Sequence, residues 1–315
     1  MLGLLSNACF RPPSRAPQQG GNVINTSLET LNLIRLALIE DHASADTTTR
    51  SLIDSSCLGN AVLTARASGI VGGLHIALSV FKELDMSLSC EALVQDGDAV
   101  CLGTSLGRIN GSLSSILSAE RTALNFLQRM SGVATETARY VSAIKGLPCR
   151  IFDTRKTVPT LRSLDKYAVR LGGGENHRKD LADGILIKDN HIEALTTQGA
   201  TLGQVIRTCR SNIPDSMRIQ VEVETVEHAR EAIDAGAEIL MLDNMSLADM
   251  RKVVSFTKGE AITEASGGIS LETVRQVAET GVDMISVGAL THSARALDIS
   301  LDIDAHTSYK ENRSL

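Results

Sequence analysis

The sequence predicts an α/β protein in two parts: a mixed α+β half to about residue 146, then a barrel-like array of parallel strands and helices to about residue 300. Three observations carry this. From Cys149 onward, short aliphatic runs alternate with helical segments, about 20–25 residues per unit, which is βα repetition and a parallel sheet or barrel. Aromatic residues are only 3% of the chain and Trp is absent, so the core rests on Leu, Ile, Val and Ala, as suits parallel strands covered by helices. Only about six βα units are legible, too few for a closed eight-fold barrel.

Element by element, Leu28 to Ile39 has helical spacing, with Thr26 or Ser27 as N-cap. Ala61 to Ala67 and Ile70–Val71 read as strand, and a Gly72-Gly73 turn leads into a helix over Leu74–Leu84. Ala92–Val94 and Val100–Ile109 are strand-like, separated by the turn signal Asp96-Gly97-Asp98. A long helix is expected from Ser112 to Met130 and a second from about Ala134 to Lys145. The strands of the repeating half are Arg150–Asp153, Ile185–Lys188, Ile219–Val223, Ile239–Asp243, Ile262–Ala265 and Met284–Val287. Helices are expected over Thr201–Arg210, Val226–Ala235, Ser246–Phe256 and Leu271–Thr280.

A net charge of −6 argues against nucleic acid as a bulk partner, which needs an extended basic face. The six cysteines are scattered without a CxxC pair, against a disulfide framework or zinc site and for a reducing, cytoplasmic setting. No apolar run approaches the roughly 18–20 residues that span a membrane. Residues 1–26, with several Pro and Gly, Arg11 and Arg15, and no acid before Glu29, read as a disordered extension, with an organelle transit peptide as the alternative. The polar residues 304–315 read as a loose tail. The expected domains are therefore 27–147 and 148–303.

In a βα barrel, chemistry sits at the C-terminal ends of the strands. Those ends carry Arg155 and Lys156, then Lys188, then Glu222 and Glu224, then Asp243 and Asn244, then Ser266-Gly267-Gly268, then Gly288-Ala289. Cations come first, carboxylates next and small residues last. Gly-rich turns entering helices at Leu271 and Thr291-His292 suit a phosphomonoester. Glu224 and Asp243 suit ribose hydroxyls or hydrated Mg²⁺, which keeps much of its water. Arg155 and Arg178 can each grip a carboxylate or phosphate bidentately, with Lys156 and Lys188 as point charges. Against this, Arg155 and Lys156 taken alone read as surface charge, Asp243 competes as a helix cap, and His177 as a structural histidine. Arg121, early in a long helix, reads as half of a surface salt bridge. Taken together, the ordered strand ends describe a phosphoribosyl donor beside an anionic acceptor.

At these residues the chain resembles the quinolinate phosphoribosyltransferases, also called nicotinate-nucleotide pyrophosphorylases (carboxylating). The resemblance lies in Ala119 to Asn125 with Gln128 to Gly132, Asp153 to Gly174, Asn176-His177-Arg178, Ile187 to His191, Val221 to Glu224, Met241 to Asn244, Glu264 to Ile269 and Val287 to His292, and it runs from about Leu28 to Ile303. It implies an N-terminal open α/β sandwich plus an incomplete α/β barrel, working as a homodimer or larger, with Arg121 completing the partner's site. It further implies quinolinate held by Arg155, Arg178, Lys188, His177 and the second copy's Arg121. Phosphoribosyl pyrophosphate is expected on Ser266, Gly267, Gly268, Gly288, Ala289 and His292, with Lys156 and Mg²⁺ at the pyrophosphate and Glu224 and Asp243 at ribose and magnesium waters. The competing readings are a related transferase with another acceptor such as nicotinate, and a barrel lyase using Lys188 as a Schiff-base nucleophile. One departure stands out: the family's early Gly-x-Gly-Asp turn here reads Ala43-Ser44-Ala45-Asp46, and a positive φ would strain either Ala.

Overall fold

The computed structural model describes residues 27–197 and 199–303; the expected extension over 1–26 and tail over 304–315 lie outside the described residues. In chain order the elements are α1 (Leu28–Glu40), a 3₁₀ turn (Ala43–Ala45), α2 (Thr47–Leu52), β1 (Leu58–Ala65), β2 (Gly69–Ile70), α3 (Leu74–Leu84), β3 (Ser89–Ala92), β4 (Ala99–Val100), β5 (Ser105–Ser112) and α4 (Leu113–Ala143). The series continues with β6 (Arg150–Phe152), α5 (Arg162–Leu171), β7 (Ile185–Ile187), α6 (Asp189–Thr196), α7 (Leu202–Ser211), β8 (Ile219–Val223), α8 (Val226–Asp234), β9 (Ile239–Asp243) and α9 (Leu247–Thr257). It ends with β10 (Ile262–Ser266), α10 (Val274–Ala278), β11 (Met284–Ser286), α11 (Ala289–His292) and β12 (Ile299–Ile303).

The chain divides into two compact units. The first holds the described residues up to Thr135 together with those from Arg295 on; the second is Glu136–Ala294. The compact units do not follow the expected 147/148 and 303 boundaries. The division falls inside α4 rather than at 147/148, and β12 leaves the barrel half to pair antiparallel with β1, Ala65 opposite Ile299 and Ala61 opposite Ile303. Without β12 that edge of β1 would present unpaired backbone groups.

The first unit contains a four-stranded antiparallel sheet in the order β12-β1-β5-β3 and a short β2-β4 pair. Alternate residues of β1, Ala61, Leu63 and Ala65, are buried, the period expected of a strand with one face on a core. The N-cap of α1 is Ser27, whose Oγ accepts from Thr30 N at 3.1 Å. The early turn avoids strain in its alanines: Ala43–Ala45 form the 3₁₀ turn, and the positive φ falls on His42 at 51°. Asp46 then caps α2, its carboxylate accepting from Thr49 N at 3.0 Å.

The two helices expected around Met130 are one continuous helix. Ser131 and Gly132 do not break it, because both are used in packing. Ser131 Oγ accepts from Gly72 N at 3.0 Å, Thr135 Oγ1 donates to Ser131 O at 2.6 Å, and the missing side chain of Gly132 makes room for the Arg295 carbonyl.

The second unit is built on six parallel strands in the order β6-β11-β10-β9-β8-β7. β6 and β7 are its two edges, so the sheet curls without closing, an incomplete barrel. The six strands agree with the sequence reading to within a residue. α5 was not anticipated: its buried face includes Asp165 and Lys166 beside Leu164, Ala168 and Val169, which blurs the apolar stripe. The helix expected from Leu271 begins at Val274.

Candidate active site

The last residue run of β6 leads to Asp153, which is fully buried. Its Oδ1 accepts from Lys166 Nζ of α5 at 2.5 Å and from His177 N at 2.8 Å. Lys166 Nζ also donates to His177 O at 2.9 Å. A buried charge needs this kind of saturation by donors. The pair clamps the segment around His177 to the end of β6 and sets the positions of Arg155 and Arg178.

Those two arginines are the electrostatic oddity of the unit. The Nε of Arg155 is buried with no hydrogen-bond partner. Burial, and next the charge of Arg155, pull the Arg178 guanidinium below its ordinary pKa. Two like charges held together and partly desolvated are costly unless an anion joins them.

The His177 ring is fully committed. Arg178 N donates to its Nδ1 at 2.9 Å, and its Nε2 lies 3.2 Å from Glu264 Oε2. Both ring nitrogens thus have protein partners. His177 and Arg178, with Phe152, Gln220, Ile239 and Met284, line a cavity of about 300 Å³. Ile239 and Met284 open their strands, so this cavity reaches toward the N-terminal side of the barrel as well.

On the carboxylate side, Glu222 of β8 is half-buried and Glu224 is exposed beyond the strand end. The Glu222 carboxyl is raised above its ordinary pKa of 4.5 by burial first and by Asp243 second, with Lys188 opposing and Glu224 adding to the rise. Glu222, Glu224, Asp243 and Lys188 thus share one electrostatic neighbourhood at the C-terminal ends of β7, β8 and β9. Asp243 ends β9, and its Oδ2 accepts from Asn244 Nδ2 at 2.8 Å. Asn244 takes φ 51°, and its amide lies where a side chain on Gly267 would have to go, so Gly267 is required there. The cap role weighed for Asp243 belongs to Ser246, whose Oγ accepts from Asp249 N at 3.1 Å.

The third group is Lys156 with the segment after β11. Thr291 Oγ1 donates to Lys156 O at 2.9 Å. A side chain added to Gly288 would meet Lys156 Cδ at 3.1 Å and the His292 ring at 3.2 Å. Gly288, Lys156 and His292 therefore meet at one spot, with Ala289 opening α11. Ser266 ends β10, followed by Gly267 at φ 91° and Gly268 at φ 59°. The helices that follow these turns, α10 and α11, are short, and α10 starts late.

Arg121 lies on α4 in the first unit, exposed. It has no ion pair among the described residues, so the surface salt bridge weighed for it is not formed. It lines a cavity of about 390 Å³ with Asp41, His42, Asp46 and Ser118. Among the described residues no three His, Cys, Asp or Glu side chains converge as a metal cage. The charge of Asp243 nevertheless adds to the raised pKa of Glu222, and two carboxylates that repel suit a cation that keeps most of its water and takes one or two of them.

Sequence reasoning underrated Glu222 and missed Glu264, Asp153 and Lys166. The first two could have been found as acids inside otherwise apolar strands, where a carboxylate is expensive without a partner. Lys166 carries no such signal, since a lysine in a helix normally faces water.

Known proteins resemble the chain over both units. Residues 46–131 match the family model described as quinolinate phosphoribosyl transferase, N-terminal domain, and residues 133–302 match its C-terminal domain. A relative from Nicotiana tabacum, quinolinate phosphoribosyltransferase [decarboxylating] 2b, mitochondrial, is 41% identical over 299 residues, covering 89% of this chain and 84% of that protein. The probable nicotinate-nucleotide pyrophosphorylase [carboxylating] of Bacillus subtilis is 41% identical over 280 residues, covering 88% of this chain and 94% of that one. A solved structure of nicotinate-nucleotide pyrophosphorylase from Ehrlichia chaffeensis superposes with TM-score 0.83 at 34% identity, covering 89% of this chain and all of that one.

Proposed function

The chain belongs to the quinolinate phosphoribosyltransferase family, and from that premise we propose that it transfers phosphoribose from phosphoribosyl pyrophosphate to quinolinate, releasing pyrophosphate and CO₂ and leaving nicotinate mononucleotide for NAD biosynthesis. The observation that carries this reading is the Arg155–Arg178 pair, two crowded and partly desolvated cations suited to a small dicarboxylate. Lys188 and the Arg121 of a second copy complete the cationic set, so the working unit is a homodimer or a multiple of it. Arg121 supports that role by being exposed and unpaired among the described residues.

The donor lies with its 5′-phosphate on the backbone of Ser266, Gly267, Gly268, Gly288 and Ala289, beside His292, and Lys156 faces the pyrophosphate. Glu222, with Asp243 and Glu224, holds the ribose hydroxyls and faces the anomeric carbon. As the bond to pyrophosphate breaks, positive charge grows on that carbon, and fixed carboxylates stabilise it. The pyridine nitrogen forms the new bond to it. As the C2–carboxylate bond breaks and CO₂ departs, its electron pair stays on C2, stabilised by the now cationic ring, and C2 then takes a proton from water. Mg²⁺ bound through water by Glu222 and Asp243, with Glu224 nearby, would neutralise the leaving pyrophosphate.

A lyase reading with Lys188 as Schiff-base nucleophile is disfavoured, because Lys188 is exposed at the cap of α6 and such lysines need desolvation or a cationic neighbour. Incubation with phosphoribosyl pyrophosphate, Mg²⁺ and either quinolinate or nicotinate tests the proposal. Stoichiometric CO₂ and nucleotide from quinolinate, with little product from nicotinate, is expected; equal use of nicotinate would move the acceptor assignment. A cytoplasmic site of action is part of the same proposal, and the location of a fluorescent fusion to the full chain checks it.

A further inference from the structure

We propose that Glu264 is a positioning residue for the acceptor half of this site, acting through the ring of His177; the proposal rests on the acceptor reading above. A main-chain N–H can only donate, so the 2.9 Å contact from Arg178 N makes His177 Nδ1 an acceptor. The neutral ring then carries its proton on Nε2, and the 3.2 Å contact to Glu264 Oε2 is a donation from the imidazole to the carboxylate. Glu264 itself is held in place: it is fully buried in the middle of β10, and Gln220 of β8 donates to the same Oε2 at 2.8 Å. Its Oε1 is buried and has no partner. A carboxylate would not be kept in an apolar strand at this cost for packing alone.

The chain of contacts runs Gln220, Glu264, His177, Arg178. One end is a rigid central strand and the other is the backbone amide of a cation placed beside Arg155. Asp153 holds the same segment by its main chain, through His177 N. Glu264 adds what Asp153 cannot: it selects the imidazole tautomer that accepts from Arg178, and so fixes the peptide from which that guanidinium projects. In this arrangement His177 acts by orienting Arg178 rather than by touching the acceptor.

The test uses the full chain labelled with ¹⁵N-histidine, with His177→Gln serving only to assign the ring signals. Wild type should show His177 as the neutral, Nε2-protonated tautomer. Glu264→Gln keeps an acceptor oxygen for the ring, whereas Glu264→Met keeps the volume and removes it. Glu264→Gln should retain the tautomer and a KM for quinolinate within about threefold, while Glu264→Met should mix the tautomers and raise that KM by about tenfold, the scale of one lost buried hydrogen-bond partner. The KM for phosphoribosyl pyrophosphate should be unchanged in both. An Nδ1-protonated ring in wild type, or an unchanged quinolinate KM in Glu264→Met, overturns the proposal. So does a raised KM in Glu264→Gln with the tautomer retained, which keeps the test decisive if Glu264→Met fails to fold. If wild type does not turn over quinolinate at all, the functional reading fails, and the tautomer signals, which need no substrate, still report on Glu264.

Discussion

Arg155 occupies a position that a stability-minded sequence would fill otherwise, since its Nε is buried without a partner and its charge destabilises that of Arg178. Removing it should leave folding intact and damage binding. Arg155→Ala is expected to lose about 2–5 kcal/mol of transition-state binding, so at least a thirtyfold fall in kcat/KM for quinolinate, with an unchanged melting temperature; near-normal kcat/KM would refute its role. Glu222 gives a second test. Its folded pKa is raised, so the folded chain holds this proton more tightly than the unfolded chain does. Its contribution to stability is then fully present below the ordinary value of 4.5 and is lost as pH rises through the folded value. Asp243→Asn removes a negative neighbour and should lower the Glu222 pKa, read from the pH dependence of its side-chain carboxyl ¹³C shift; no movement would separate the two carboxylates.

Two elements owe their form to contacts that oppose local preference. α4 passes through Gly132, and Ala would favour the helix there by up to about 1 kcal/mol. Yet the Arg295 carbonyl fills that space, and overpacking costs about 1–3 kcal/mol. Gly132→Ala should therefore lower the melting temperature despite its better propensity; a rise would show that the chain at Arg295 retreats freely. α5 carries Lys166, the buried partner of Asp153. Lys166→Met leaves that carboxylate without its cation, and a loss of about 3–5 kcal/mol is expected in urea unfolding.

For the whole molecule, the proposed acceptor site is complete only when a second copy supplies Arg121. Arg121→Ala and Glu222→Gln should each abolish turnover alone. Mixed dimers of the two should recover part of it, because some hybrid sites then contain both native residues. No recovery in fully exchanged dimers would sink the shared site.

The sequence by itself determined the parallel strands of the second unit and the order of charges along their ends. A buried strand has few alternatives to an aliphatic run, and its C-terminal end is where polar residues such as Lys156, Lys188 and Asp243 can return to solvent. It also narrowed the N-cap of α1 to Thr26 or Ser27, because such a cap depends on residues three apart; the structure selects Ser27. Only the tertiary structure decided where β12 goes, that α4 is unbroken, and that Glu222 lies inward of Glu224. Each of those depends on residues distant in the chain: β1 beside β12, Gly72 and Arg295 against α4, Asp243 and Lys188 around Glu222. The His177 ring is the clearest case. In sequence it stands among cations and reads as one of them; in the fold, a main-chain donor on one side and a buried carboxylate on the other commit both of its nitrogens.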